Sequence, residues 1–110
     1  EDKWEDALRL YVEFLAYDPT NYDLRISIGQ IQRLLGNHSE SIQMFRDLLK
    51  AKPTEGRRNY ELAKSYYADG NRKKALKHLE TALDVWKNAN AKFTPAIAAR
   101  EKWADWNQIN

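Results

Sequence analysis

The stretch Ser41–Pro53, SIQMFRDLLKAKP, decides the reading because related versions of it recur along the chain. Ala7, Ser41 and Ala75 stand 34 residues apart and are all small. Tyr11, Phe45 and Leu79 keep the same step and are large and apolar. Leu8, Ile42 and Leu76 repeat it, as do Leu15, Leu49 and Leu83. Pro19 and Pro53 close the first two copies, with Lys87 in that place in the third. Gly36-Asn37 and Gly70-Asn71 open the second and third. A fixed period of this length signals an array of supersecondary units, each completing its neighbour's core.

Working outward, apolar residues at steps of three and four predict six helices. The first covers 2–17, with Trp4, Leu8, Tyr11, Phe14 and Leu15 on one face and Glu1, Asp2, Glu5 and Asp6 in its first turn. Acidic residues there complement the helix dipole, a simpler account than an acid/base site. The second covers about 21–35, capped by Thr20 with Asp23 as box partner and Leu24, Ile28, Ile31 and Leu35 inward. Gly29 inside it predicts a closely approaching neighbour, and Gly36 a left-handed terminus. The third, about 38–51, takes Asn37 as cap and turns Ile42, Phe45, Leu48 and Leu49 inward. Asn37-His38-Ser39 also fits a glycosylation sequon, but capping explains Asn37 without it.

The fourth helix, about 55–69, takes Thr54 as cap and Leu62, Ala63 and Tyr66 as core. The fifth, about 72–87, takes Asn71 as cap and buries Ala75, Leu76, Leu79, Ala82, Leu83 and Trp86. Arg72, Lys73 and Lys74 crowd its first turn, the wrong sign for that end of a helix. They mark either an acidic contact or solubility. The period then fails. Thr94, the last expected cap, comes six residues late, followed by Pro95 and the stripe Ala96, Ala99, Trp103 and Trp106. Such an atypical last unit predicts a cap over the open end of the core.

A chain of 110 residues is one domain's worth. Apolar residues make up 43% of it, enough to argue against disorder. With no cysteine, disulfides and thiolate metal sites are excluded. No apolar run is long enough to cross a membrane. The start at Glu1 and the lack of a signal peptide suggest a piece of a longer protein or a processed form. Net charge is +2, but residues 1–20 carry −4 and residues 50–77 carry +6. Solvated helix faces account for such blocks, and electrostatic docking is the alternative.

The 34-residue helix–turn–helix period resembles the tetratricopeptide repeat over about residues 4–87. One copy carries Ile28, Gly29, Gly36, Ser41, Phe45, Leu48 and Pro53 at the family positions; the next carries Leu62, Ala63, Tyr66, Gly70, Ala75 and Ala82. Arg25 and Asn59 depart from the family's Trp, Gln32 from its Tyr and Lys87 from its Pro. The resemblance implies an all-α fold, a right-handed superhelical stack of antiparallel helix pairs (an α-solenoid). Its parts would be a lone second helix at 2–19, repeats at 22–55 and 56–89, and a capping helix at 94–109. The lone first helix lacks its pair-mate, which predicts self-association into a homo-oligomer through residues 4–15.

By the same resemblance, the function is that of a non-catalytic scaffold holding a peptide or partner protein on its concave face. That face would present Ile26, Gln30, Arg33 and Leu34, then Arg57, Tyr60, Glu61, Lys64 and Tyr67. Tyrosine supplies flat apolar area and arginine can grip carboxylates in bidentate fashion, so a partner with an acidic segment is expected. Ile26 and Gln30 replace the Lys and Asn with which some family members clamp a C-terminal carboxylate. The alternative is a regulatory or substrate-recruiting appendage of an enzyme in the parent chain, or a self-associating assembly module. His38 and His78 have no partner at ligand spacing, so no metal or cofactor is expected. Neither a nucleophile elbow nor a glycine-rich phosphate loop occurs. Tyr60 and Tyr67 near the basic stretch could stack bases, but the small net charge speaks against nucleic acid.

Overall fold

The computed structural model describes residues 2–108; Glu1 and position 109, expected in the first and last helices, lie outside the described residues, as does the Asp2 side chain. Six helices follow in order: α1 (Asp2–Tyr17), α2 (Tyr22–Leu34), α3 (His38–Ala51), α4 (Gly56–Ala68), α5 (Arg72–Val85) and α6 (Thr94–Trp106). Among the described residues there is no strand. Each helix packs on the next in sequence, most extensively α4 on α5, and α2 also touches α4. The radius of gyration, 14.4 Å, exceeds the roughly 13 Å of a compact domain of this length, as expected of a short stack.

The turns that close α2 and α4 follow the repeat. Gly36 and Gly70 sit at φ 84° and 86°, a conformation that glycine adopts without strain. The amides of Asn37 and Asn71 then bond back to the carbonyls of Gln32 and Tyr66 at 2.8 and 2.9 Å, completing the same C-terminal motif twice.

The starts of the helices correct four expectations. Asn21, not Thr20, caps α2, its side chain accepting from the Leu24 amide at 2.9 Å. Glu55, not Thr54, caps α4 by accepting from the amides of Arg57 and Arg58 at 3.0 and 2.9 Å. A carboxylate there also meets the positive end of the dipole. Asn37 precedes α3 but makes no cap; its amide donates to Gln32 Oε1 at 2.7 Å instead. Phe93 precedes α6, and Thr94 and Pro95 are already helical. Asn71 caps α5 as expected.

The core runs through the middle of the stack: Ile26, Phe45, Leu48, Leu62, Ala63, Tyr66, Ala75, Leu79, Ala82, Ala99 and Trp106. Phe45 has no solvent exposure, so its ring contributes about 3 kcal/mol of apolar burial. Gly29 makes room for it: a Cβ there would meet Phe45 Cζ at 2.5 Å. Trp106 is buried at the far end and Trp103 packs against the same core, so α6 covers it as the late stripe predicted. On α1, by contrast, none of residues 3–17 is buried, and Trp4 and Phe14, expected inward, are exposed.

Candidate partner-binding groove

The residues expected on the concave face fall into two sets. Gln30 and Arg33 on α2 meet Glu61 and Lys64 on α4, and most of their polar groups are used between the two helices. Gln30 Nε2 donates to Glu61 Oε2 at 2.8 Å. Arg33 Nη2 donates to Glu61 Oε1 at 3.0 Å, and its Nη1 to the Glu61 carbonyl and Ser65 Oγ at 3.2 and 3.0 Å. Lys64 Nζ lies 3.4 Å from Glu61 Oε2 and 4.4 Å from the Tyr60 ring centre. Burial alone would push the Glu61 carboxyl up, but Lys64, Arg33 and the Gln30 amide outweigh it and hold it below its ordinary value. For Lys64, burial outweighs Glu61 and lowers its pKa.

The bonds continue inward with a defined direction. Ser41 Oγ must donate to the Gly29 carbonyl, 2.8 Å away. Its proton being so used, Ser41 accepts from Ser65 Oγ at 2.7 Å, and Ser65 in turn accepts from Arg33. One chain of hydrogen bonds therefore runs from Arg33 through Ser65 and Ser41 to the Gly29 carbonyl, tying α2, α3 and α4 together. Every link is buried or half-buried, where an unmade hydrogen bond costs about 1–3 kcal/mol.

The second set borders open space. A groove of about 610 Å³ lies between α4 and the α5–α6 connection, lined by Arg57, Tyr60 and Glu61 together with Trp86, Phe93 and Pro95. Tyr60 meets Trp86 edge-on at 5.7 Å, and Trp86 meets Phe93 edge-on at 5.4 Å. Trp86 also sits so close to Gly56 that a side chain there would overlap its ring. Arg57 is exposed and makes no ion pair among the described residues. Ile26 is buried in the core, and Leu34 is exposed. Tyr67 stacks flat on Trp106 at 4.2 Å and stays partly exposed.

Sequence reasoning passed over Trp86, Phe93 and Pro95 as groove residues. Their signal was the six-residue delay before Thr94. It folds into turns, with the Ala89 amide on the Trp86 carbonyl and the Phe93 amide on the Asn90 carbonyl, that deliver Phe93 against Trp86. Part of the unfavourable charge at the start of α5, Arg72, also finds its reason. Arg72 donates through Nε to the Trp106 carbonyl at 2.6 Å and through Nη2 to that of Gln108, so it caps the C-terminal end of α6. Asn59, at a family Trp position, donates to the carbonyls of Pro53 and Glu55 at 3.0 and 2.9 Å and faces His78 through Oδ1. Among the described residues no group of His, Cys, Asp and Glu could hold a metal ion.

Comparison with known families agrees with this architecture: tetratricopeptide repeat models match residues 1–58 and 59–89. The chain belongs to the tetratricopeptide repeat family. No curated relative matches the sequence. Among solved structures it is similar to PcrH from Pseudomonas aeruginosa, with a TM-score of 0.83 at 17% identity, over 97% of this chain and 81% of that one. It is also similar to PcrH in complex with the chaperone binding region of PopD, with a TM-score of 0.79 at 17% identity, over 96% and 79% of the two chains. At that identity the likeness is one of fold. The first of the family matches spans α1–α3, and the second most of α4 together with α5. No described helix is long and apolar enough to cross a membrane.

Proposed function

We propose that this tetratricopeptide repeat domain is a non-catalytic scaffold, part of a larger protein or assembly, that holds a peptide segment of a partner protein on its concave face. The reading is carried by the groove between α4 and the α5–α6 connection, where three aromatic rings border an open volume beside Arg57, which makes no ion pair among the described residues. Apolar wall with a charged edge is the chemistry of peptide recognition. Arg57 would take a carboxylate of an acidic segment, and the Tyr60–Trp86–Phe93 wall an apolar side chain. Of the remaining concave-face candidates, Gln30, Arg33, Glu61 and Lys64 would hold the two repeats in register behind the peptide, Ile26 would support them from the core, and Tyr67 would extend the face toward Trp106. The complex of PcrH, a fold neighbour, with the chaperone binding region of PopD lends support by analogy.

The test is photo-crosslinking with a benzophenone side chain placed at Arg57 or, as a control, at exposed Gln43 on α3. Crosslinking of a partner from position 57 and not from 43 is expected. Crosslinking from 43 alone would overturn the assignment of the face.

Self-association through α1 is a second reading. Trp4, Leu10, Val12 and Phe14 are exposed along α1 and offer apolar area to another copy. Light scattering that stays monomeric at high concentration would remove it.

A further inference from the structure

Between α3 and α5 lies a second depression, of about 390 Å³, that shares no lining residue with the groove. Arg46 and Lys50 line it from α3, and Lys74 and Lys77 from α5; its floor is Leu49, Leu62 and Tyr66. Among the described residues no carboxylate lines it. Residues 50–77 carry an excess of six positive charges, and the structure locates where that excess goes unused. Arg58 donates to the Leu48 carbonyl, Lys64 pairs with Glu61, and Arg72 caps α6. Arg46, Lys74 and Lys77 make no ion pair among the described residues. Among the described residues Lys50 pairs only with Asp47, at 3.4 Å, and Asp47 also accepts from Gln43 and lines the cleft beside α1 instead.

His78, at the edge of this depression, reports the same imbalance. Burial, followed by Lys77, Arg46 and Lys74, holds its imidazole below the ordinary value. The Asn59 amide nitrogen is committed to two carbonyls, so its Oδ1 must accept and His78 Nδ1 carries the proton. That leaves Nε2 as the ring atom without an assigned proton.

From this geometry we infer that the depression is a second docking site, for an acidic peptide segment in which one apolar side chain is flanked by carboxylates. The apolar side chain enters against Leu49, Leu62 and Tyr66, and the carboxylates meet Lys74, Lys77 and Arg46 at the rim. Nucleic acid fits less well, because it needs a free aromatic face to stack on. Here the Tyr66 ring is stacked on His78 at 5.6 Å, and Lys74 Nζ lies 5.5 Å from its centre. A bare phosphate would leave the apolar floor uncovered.

The experiment uses fluorescence anisotropy of the labelled pentapeptide Glu-Asp-Leu-Glu-Asp at low salt, with the whole chain. Lys77→Glu should weaken binding about tenfold, as loss and reversal of a contacting charge does. Lys73→Glu makes the same charge change on the same helix outside the depression and should weaken it less than about twofold, the effect of net charge alone. Both lysines are exposed, so neither variant disturbs the fold, which circular dichroism checks. Replacing the peptide's Leu by Ser should weaken binding about fivefold through lost apolar burial. Equal effects of the two lysine variants would overturn the site, as would indifference to the Leu. Tighter binding of a single-stranded oligonucleotide of equal charge, abolished by Lys77→Glu, would overturn the assignment to a peptide.

Discussion

Helices α1 and α4 make an instructive pair. By sequence α1 carries the more regular apolar stripe, and α4 is crowded with Arg, Asn, Glu, Lys and Ser. Yet none of residues 3–17 is buried, while nine residues of α4 are, including Arg58, Asn59, Glu61 and Ser65. Position in the stack decides this. α4 lies against α3, α5 and α2, whereas α1 lies chiefly against α2. An amphipathic pattern states which face a helix would bury; only its neighbours decide whether it does. The polar residues of α4 tolerate burial because each finds a partner, on α2, on the end of α3 or on α5.

Breaking that partnership should have the largest effect. Glu61→Ala strands the half-buried Arg33 guanidinium and should cost about 3–5 kcal/mol in urea unfolding. Gly29→Ala forces the Phe45 ring aside and should cost about 1–3 kcal/mol; adding Phe45→Leu should recover part of the loss. His78, packed on α4, gives a pH effect. Its folded pKa lies below the 6.5 of the free side chain, so in acid the unfolded chain takes up the proton first. Its contribution is therefore complete above pH 6.5 and is lost as pH falls toward the folded pKa. The unfolding midpoint should drop over that interval, and His78→Gln should flatten the drop. Phe14→Ser on α1 should change stability by no more than about 0.5 kcal/mol, while lowering any self-association seen by light scattering.

The 34-residue recurrence of small and large residues made the fold legible, down to the glycine turns at Gly36 and Gly70 and the tight spot at Gly29. The helix starts were less legible, because Thr20, Thr54 and Thr94 each stood one place from the residue that entered the cap or took its position. Neighbouring polar residues compete for one amide, and the choice rests on tertiary geometry. The candidate site was half legible. Family position brought forward Arg57, Tyr60 and Glu61, which do line the groove. It could not tell that Gln30, Arg33 and Glu61 spend their hydrogen bonds on each other. Trp86 and Phe93 come together only through the irregular connection before α6, where the period no longer guides the reading.

Native-state hydrogen exchange on the intact chain tests the stacking account most directly. The amides of α4 should exchange only through global unfolding, and those of α1 through local opening at least about 2 kcal/mol cheaper. Protection of α1 equal to that of α4 would contradict it.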